Sequence, residues 1–399
     1  MNSLRRVLVV QPYGIGDLLF LTPVLRALRL VPTVETVDLL LGSRTEAVVQ
    51  TNPHVDEITC IDKDLFHKQG NLKNFSDLIK LGAKLRKKKY DLLLDYSLRG
   101  EYAFFSQFFL GIPRRAGFNF KRRGFFHNLR LPIPQGFNGK PVADFFCDLA
   151  EKAGIVVEDR FLEFYPADAD KILADRLLSD FYASLTLPPP ISSPIEWGRI
   201  KVGGESKRRF LVLSLGGGES WGKDANFKRW PVTFFAEFTK RLKEFSDFET
   251  VIIVGSAQEK SLGDSFQKMV GIKTLNLAGQ ISLGVTASLI EKAGLFIGND
   301  GGLVHLAHAL HTHVIAFYGP VDPVVYGPYP ESENAISIFK KDLECRPCYQ
   351  KFRYNAACAH KNCLQALTPE EALNMIQEKS FFPLTLPPSP YGRGKGEGL

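Results

Sequence analysis

Three short stretches hold residues whose types and spacing could do chemistry. The first is Gly14, Gly16 and Asp17 in "QPYGIGDLLFLTP". The glycines allow close approach of a second molecule, and Asp17 stands at a helix start. A carboxylate there suits two jobs, capping the helix or taking a proton from an incoming hydroxyl. The corner lacks the third glycine of a dinucleotide fingerprint. A carboxylate would also repel a phosphate, so a pyrophosphate is not expected here.

The second stretch, "SLGGGESWGKDANFKRWP", has successive glycines, several cations including Lys228, and Pro231. Runs of free backbone N–H groups bind phosphate oxygens, and Pro231 suits the first position of a helix. A solvated surface loop is the competing reading. The third is "GNDGGLVHLAHAL". Asn299 and Asp300 form a turn there. Gly301 and Gly302 keep the next helix start bare, and His305 lies one turn in. Bare N–H groups at a positive helix end attract a diphosphate. Glu259, in "VGSAQEK", follows a strand where a carboxylate could bond ribose hydroxyls.

Those corners need strands and helices to hold them. "RRVLVVQ", "VETVDLLLG" and "YDLLLDYS" are short Val/Leu-rich runs without alternation, which predicts buried parallel strands. Runs with helical spacing separate them, and the alternation restarts at "FLVLSLGGG". The expected class is α/β, with two Rossmann-like domains facing each other across a cleft at the carboxyl ends of their strands. The expected units are an acceptor-side domain at 1–184, a linker or insert at 185–209, a nucleotide-binding domain at 210–380, and a disordered tail at 381–399. The insert is rich in Pro, Gly and Ser, and the tail echoes its "LTLPP".

Bulk composition agrees. The chain has 399 residues, 45% hydrophobic and 23% charged, the balance of a globular protein with a sizeable core. The net charge of +7 favours an anionic partner, and no nucleic-acid-binding signature accompanies it. No signal peptide or membrane-spanning run is evident, so a cytoplasmic protein is expected.

At this point the motifs, in order, resemble those of glycosyltransferase family 9, the ADP-heptose:lipopolysaccharide heptosyltransferases. The resemblance rests on "VVQPYGIGDLLFLTPVLRALR", "KRWP", "VGSAQE", "LAGQISLGVTASLIEKAGLFIGNDGGLVHLAHAL" and "VIAFYGPVDPVVYGPY". It implies the GT-B fold and an inverting transfer of heptose from ADP-heptose to a lipid A–Kdo or lipopolysaccharide core acceptor, with no cofactor. It further implies Asp17 as general base and Lys228 as a contact to the donor's phosphates and sugar. Glu259 would meet the ribose and Ile281 the adenine, while Asp300, Gly301, Gly302 and His305 match the donor-binding segment. The family usually has Ser or Thr where this chain has Gly301. The alternatives are a glycosyltransferase of the same family with another donor or acceptor, then a nucleotide-sugar epimerase, then a non-catalytic sugar-nucleotide-binding protein.

Two clusters stand apart. Cys345, Cys348, Cys358 and Cys363 could hold a structural zinc, with reduced thiols the preferred reading. Residues 102–130 mix aromatics with Arg114, Arg115, Lys121, Arg122, Arg123 and Arg130. Arg114 and Arg115 are expected on the acceptor side. The stretch as a whole could rest peripherally on the cytoplasmic face of the inner membrane.

Overall fold

The computed structural model describes residues 4–61, 72–185, 199–202, 205–208, 210–218, 225–246, 248–355, 357–358, 360–379 and 381. The expected tail beyond 381 lies outside them, as do 186–198 of the expected insert.

The first half of the chain supplies β1 (Arg6–Gln11), β2 (Thr36–Gly42), β3 (Glu57–Ile61), β4 (Leu92–Asp95), β5 (Arg114–Asn119) and β6 (Leu129–Pro132). They form one sheet in the order β3-β2-β1-β4-β5-β6. Arg199–Val202 (β7) and Glu205–Arg208 (β8) pair antiparallel, so part of the expected insert is a hairpin. The second sheet contains β9 (Phe210–Ser214), β10 (Thr250–Ile253), β11 (Lys273–Asn276), β12 (Leu295–Asn299), β13 (Val314–Phe317) and β14 (Ala335–Ile338). Its order, β11-β10-β9-β12-β13-β14, repeats the first. Every pairing in both large sheets is parallel.

This is the doubly wound order, and in each sheet the order of strands reverses between the first and fourth while all stay parallel. The central strands are apolar and buried along nearly their whole length, as parallel strands covered on both faces must be. The covering helices are α1 (Ile15–Leu30), α2 (Leu72–Arg86), α3 (Gly100–Phe105), α4 (Val142–Lys152), α5 (Asp168–Ser184), α6 (Val232–Glu244), α7 (Lys260–Val270), α8 (Leu283–Lys292) and α9 (Gly302–Ala309). No helix among the described residues is long and apolar enough to cross a membrane.

Helix α5 crosses from the first half to pack on the second. Asp170 accepts a hydrogen bond from Ser282 at 2.9 Å, Asp175 pairs with Lys292 at 2.8 Å, and Tyr182 meets Thr250 at 3.2 Å. The helix straps the two Rossmann-like units together in a GT-B fold. Their switch points face each other, and the corners after β1, β9 and β12 meet there.

Candidate active site

The β1 corner turns into α1 through Gly14, whose backbone is extended at φ −86°, ψ 174°. Asp17 occupies the third helical position, and its Oδ2 accepts the Gly14 N–H at 3.0 Å. The carboxylate therefore caps its own helix and is partly buried at the cleft. Burial raises its pKa above the ordinary carboxylate range; the Gly14 N–H and the charge of Lys228 oppose that rise.

The β12 corner is built from the opposite side. Asp300 is buried and its Oδ2 lies 2.7 Å from Lys228 Nζ, an ion pair at the cleft floor. Gly301 caps α9 without a side-chain hydrogen bond. The two helix starts nearly touch. A Cβ on Gly302 would lie 2.7 Å from Ile15 Cβ, and one on Gly16 would lie 2.8 Å from His305 Cδ2. Only bare backbone fits, which explains the glycines at both positions. The positive ends of α1 and α9 thus converge on one point.

His305 is buried against Phe20, their ring centroids 4.5 Å apart. Desolvation, with the nearby Lys228 charge, depresses its pKa to about 3. The imidazole is neutral at physiological pH, so it can donate a hydrogen bond but carries no charge. Its Nδ1 has no hydrogen-bond partner among the described residues.

The Lys228 loop is fixed from behind. The buried Asn299 accepts the Trp230 N–H at 2.9 Å and donates to the Leu215 carbonyl at 3.0 Å, tying the β9, Trp230 and β12 corners together. Trp230 stacks on Phe317 at 4.0 Å and donates its indole N–H to Leu367 at 2.8 Å. Glu259 is also buried; its Oε2 accepts the Ser256 N–H at 2.9 Å. Gly216 makes room for it, since a Cβ there would fall 1.7 Å from Glu259 Oε1.

Three cavities open onto these groups. One of about 250 Å³ is walled by Glu259, Gly216 and Ser256 on one side and by Ile281, Leu283 and Leu303 on the other. The next, about 140 Å³, holds Asp17, Lys228, Asp300, Gly301, Gly302 and His305. The third, about 390 Å³, lies toward the first sheet and contains Asp17, Tyr13, Arg44, Arg99, Tyr326 and Tyr349. Asp17 belongs to the walls of the second and third, and Gly14 lines all three.

Arg114 and Arg115 are not brought to this site. They begin β5, beside Leu92 and Leu93 at the amino end of β4, whereas the cleft lies at the carboxyl ends. Arg114 donates to the Ala153 carbonyl at 2.6 Å, and Arg115 to the carbonyls of Phe126 and Ile112. Their guanidiniums hold loops. Arg44 and Arg99 supply the cations of the third cavity instead. Arg99 comes two residues after the predicted strand "YDLLLDYS", so the rule that located Asp17 could have found it. Tyr326 ends the short helix Pro323–Tyr326 and Tyr349 lies in a loop, and neither follows a strand that would have marked it.

The four cysteines are free. Among the described residues, no group of three or more His, Cys, Asp or Glu side chains is placed to hold a metal ion. The zinc reading thus gains no geometric support.

A sequence model of glycosyltransferase family 9 (heptosyltransferase) matches residues 78–357. The chain belongs to that family. Lipopolysaccharide heptosyltransferase 2 of Escherichia coli K12 is 24% identical over 387 residues, covering 93% of this chain and 97% of the relative. The solved E. coli ADP-heptose lipopolysaccharide heptosyltransferase II superposes with a TM-score of 0.65 at 20% identity, covering 94% and 98% of the two chains. A family 9 glycosyltransferase from Veillonella parvula gives 0.70 at 18% identity, with 95% and 98% covered. These similarities carry the GT-B fold of heptosyltransferases onto this chain.

Proposed function

We propose that this family 9 glycosyltransferase moves a heptose, with inversion, from ADP-heptose to a lipid A–Kdo or heptose acceptor of the lipopolysaccharide inner core. One observation carries the reading: Asp17 stands in the wall between a cavity lined by Lys228, His305 and the α9 start and a separate cavity on the first-sheet side. A general base must reach the acceptor hydroxyl while facing the donor's anomeric carbon, and a position between the two cavities supports that role. The name of the E. coli relative supports the substrate class. So does an E. coli heptosyltransferase solved with ADP-2-deoxy-2-fluoro heptose, of the same fold as this chain.

The adenosine fits the cavity between Glu259 and Ile281, with the carboxylate toward the ribose hydroxyls and Ile281 on the base. The diphosphate lies against the bare N–H groups of α9. Asp17 takes the proton of the acceptor hydroxyl. The acceptor oxygen forms a bond to the anomeric carbon as the bond from that carbon to the phosphate oxygen breaks. The departing ADP keeps the electron pair. Its growing charge is met by Lys228, by the helix-start amides and by a hydrogen bond from neutral His305. Preorganised donors of this sort contribute about 3–4 kcal/mol each when removed singly. Asp300 holds the Lys228 ammonium at the floor of that cavity. Arg44 and Arg99 fit an acceptor bearing carboxylate or phosphate. The work would take place at the cytoplasmic face of the inner membrane.

The test is transfer from ADP-heptose to a heptose-deficient lipopolysaccharide, by the wild type and by Asp17→Asn. Product from the wild type alone, with ADP binding retained by both, is the expected result. A wild type that binds ADP yet transfers nothing to inner-core acceptors would overturn the substrate assignment. Failure to bind ADP would overturn the nucleotide cavity itself.

A further inference from the structure

Away from the cleft, the first unit exposes an aromatic face that its own core does not use. Phe104, Phe108, Phe109 and Phe125 are 42%, 56%, 40% and 70% exposed. They come from α3, the following turn Ser106–Leu110, and the loop after β5. They nonetheless form one cluster. Ring centroids are 4.7 Å apart for Phe104–Phe108, 5.2 Å for Phe104–Phe126 and 5.2 Å for Phe125–Phe126. Contiguous apolar patches of this kind mark interaction sites on soluble surfaces.

The patch borders an open groove of about 690 Å³ whose lining includes Leu78, Phe105, Arg99 and Arg123. Lys121, Arg122 and Arg123 stand exposed at its rim. Lys121 and Arg122 both take left-handed backbone angles, φ 49° and 64°, in a tight turn that leads back to Phe125. Arg86 donates to the carbonyl of Phe109, one of the groove residues, at 3.0 Å. Arg99 lines both this groove and the third cavity, where Asp17 resides. The aromatic face and the acceptor-side cavity are therefore two ends of one surface.

We propose that this face seats the protein on an anionic bilayer, with the phenylalanines in the headgroup region and Lys121, Arg122 and Arg123 on the lipid phosphates. Aromatics rimmed by cations are the composition that interfacial binding requires, because each component alone gives weak attachment. The shared Arg99 supplies the orientation: an acceptor anchored in the leaflet enters the third cavity from the side that rests on the lipid. That orientation rests on the lipid-linked acceptor proposed above, but attachment itself does not.

The test is sedimentation of the full chain with phosphatidylethanolamine vesicles, with and without phosphatidylglycerol. The wild type should pellet with the anionic vesicles and be released by salt. Arg122→Gln with Arg123→Gln should weaken binding about fivefold per charge. Phe104→Ser with Phe108→Ser and Phe125→Ser should reduce it at least about tenfold. Both variants should retain ADP affinity and transfer to a delipidated, water-soluble acceptor. If the serine variant also loses ADP binding, it has misfolded, and the two exposed arginines decide the matter. A wild type that stays in the supernatant, or an arginine variant that pellets like wild type, overturns the proposal. So does a dimer of the chain that these substitutions disperse without any vesicle binding. Patch-dependent pelleting without transfer to any core acceptor would leave the docking face standing and sink the substrate assignment alone.

Discussion

At the start of α1, the free amide of Gly14 is claimed by its own helix, because Asp17 accepts it at 3.0 Å. At the start of α9, no side chain caps the helix, and Gly301 and Gly302 leave its amides bare. Both corners follow a buried strand at the switch point of a sheet with the same strand order. In the first corner the carboxylate of Asp17 occupies the amide; in the second the carboxylate of Asp300 is turned to Lys228 at 2.7 Å, and the helix-start amides are left to a ligand. The residue types at these positions, Asp17 in one corner and Gly301 with Gly302 in the other, therefore divide the labour of the cleft. The fold supplies two positive helix ends, and the side chains decide which becomes a base and which a phosphate cradle.

The largest test of that division is Asp17→Asn. The amide oxygen can still accept the Gly14 N–H, so the helix cap survives while the base is lost. Transfer should fall about 10²–10⁴-fold, with ADP affinity by calorimetry little changed. Equal losses in both would mean that the first corner also binds the donor.

Lys228→Met comes next. ADP affinity should drop about 10- to 100-fold, because a charge-assisted contact is lost. The pH profile sharpens the point. Asp17 must be ionised to act, so kcat/KM falls as pH drops through its raised pKa. Lys228 holds that pKa down. Its removal should move the acidic limb to higher pH, and a limb that shifts downward would exclude Asp17 as the titrating base.

A smaller effect is expected from Gly302→Ala. Its new methyl meets Ile15 Cβ, which cannot swing away, so stability should fall by about 1–3 kcal/mol and ADP affinity with it. Calorimetric melting with and without ADP measures both. Gly301→Ser is the mildest change. Gly301 is fully extended at φ 175°, ψ 174°, and a Cβ there has only the Asn299 carbonyl within reach, at 3.6 Å. The family's usual hydroxyl should be accommodated, with ADP affinity rising about two- to tenfold if it reaches a phosphate. Weaker binding would show that Gly301 leaves room that this protein's own donor needs.

The alternation of apolar strands with helical runs made both sheets legible, since parallel strands buried on both faces need continuous Val, Leu and Ile. The three corners were legible for the same reason: glycines and charges directly after such a strand stand at its carboxyl end. Strands β3, β5, β6 and β14 were not foreseen. β3 is half-exposed in "EITCI", and β5 begins with two arginines. That same pair misled the site reading. A cluster of arginines announces charge, but the sequence does not say which end of a strand it occupies, and Arg114 and Arg115 lie at the wrong one. His305 was placed one turn into the helix, but its burial was not legible, because the depth of its pocket against Phe20 depends on residues nearly three hundred positions away.

The glycine-to-glycine seam between α1 and α9 also has a mechanical meaning. Side chains that interdigitate act as gear teeth and lock two bodies at one angle. Here each glycine leaves a notch for a tooth from the facing unit, His305 of α9 against Gly16 and Ile15 of α1 against Gly302. The joint is keyed at that point, so a ligand that spans both helix starts meets a seat already set to one angle by these two side chains.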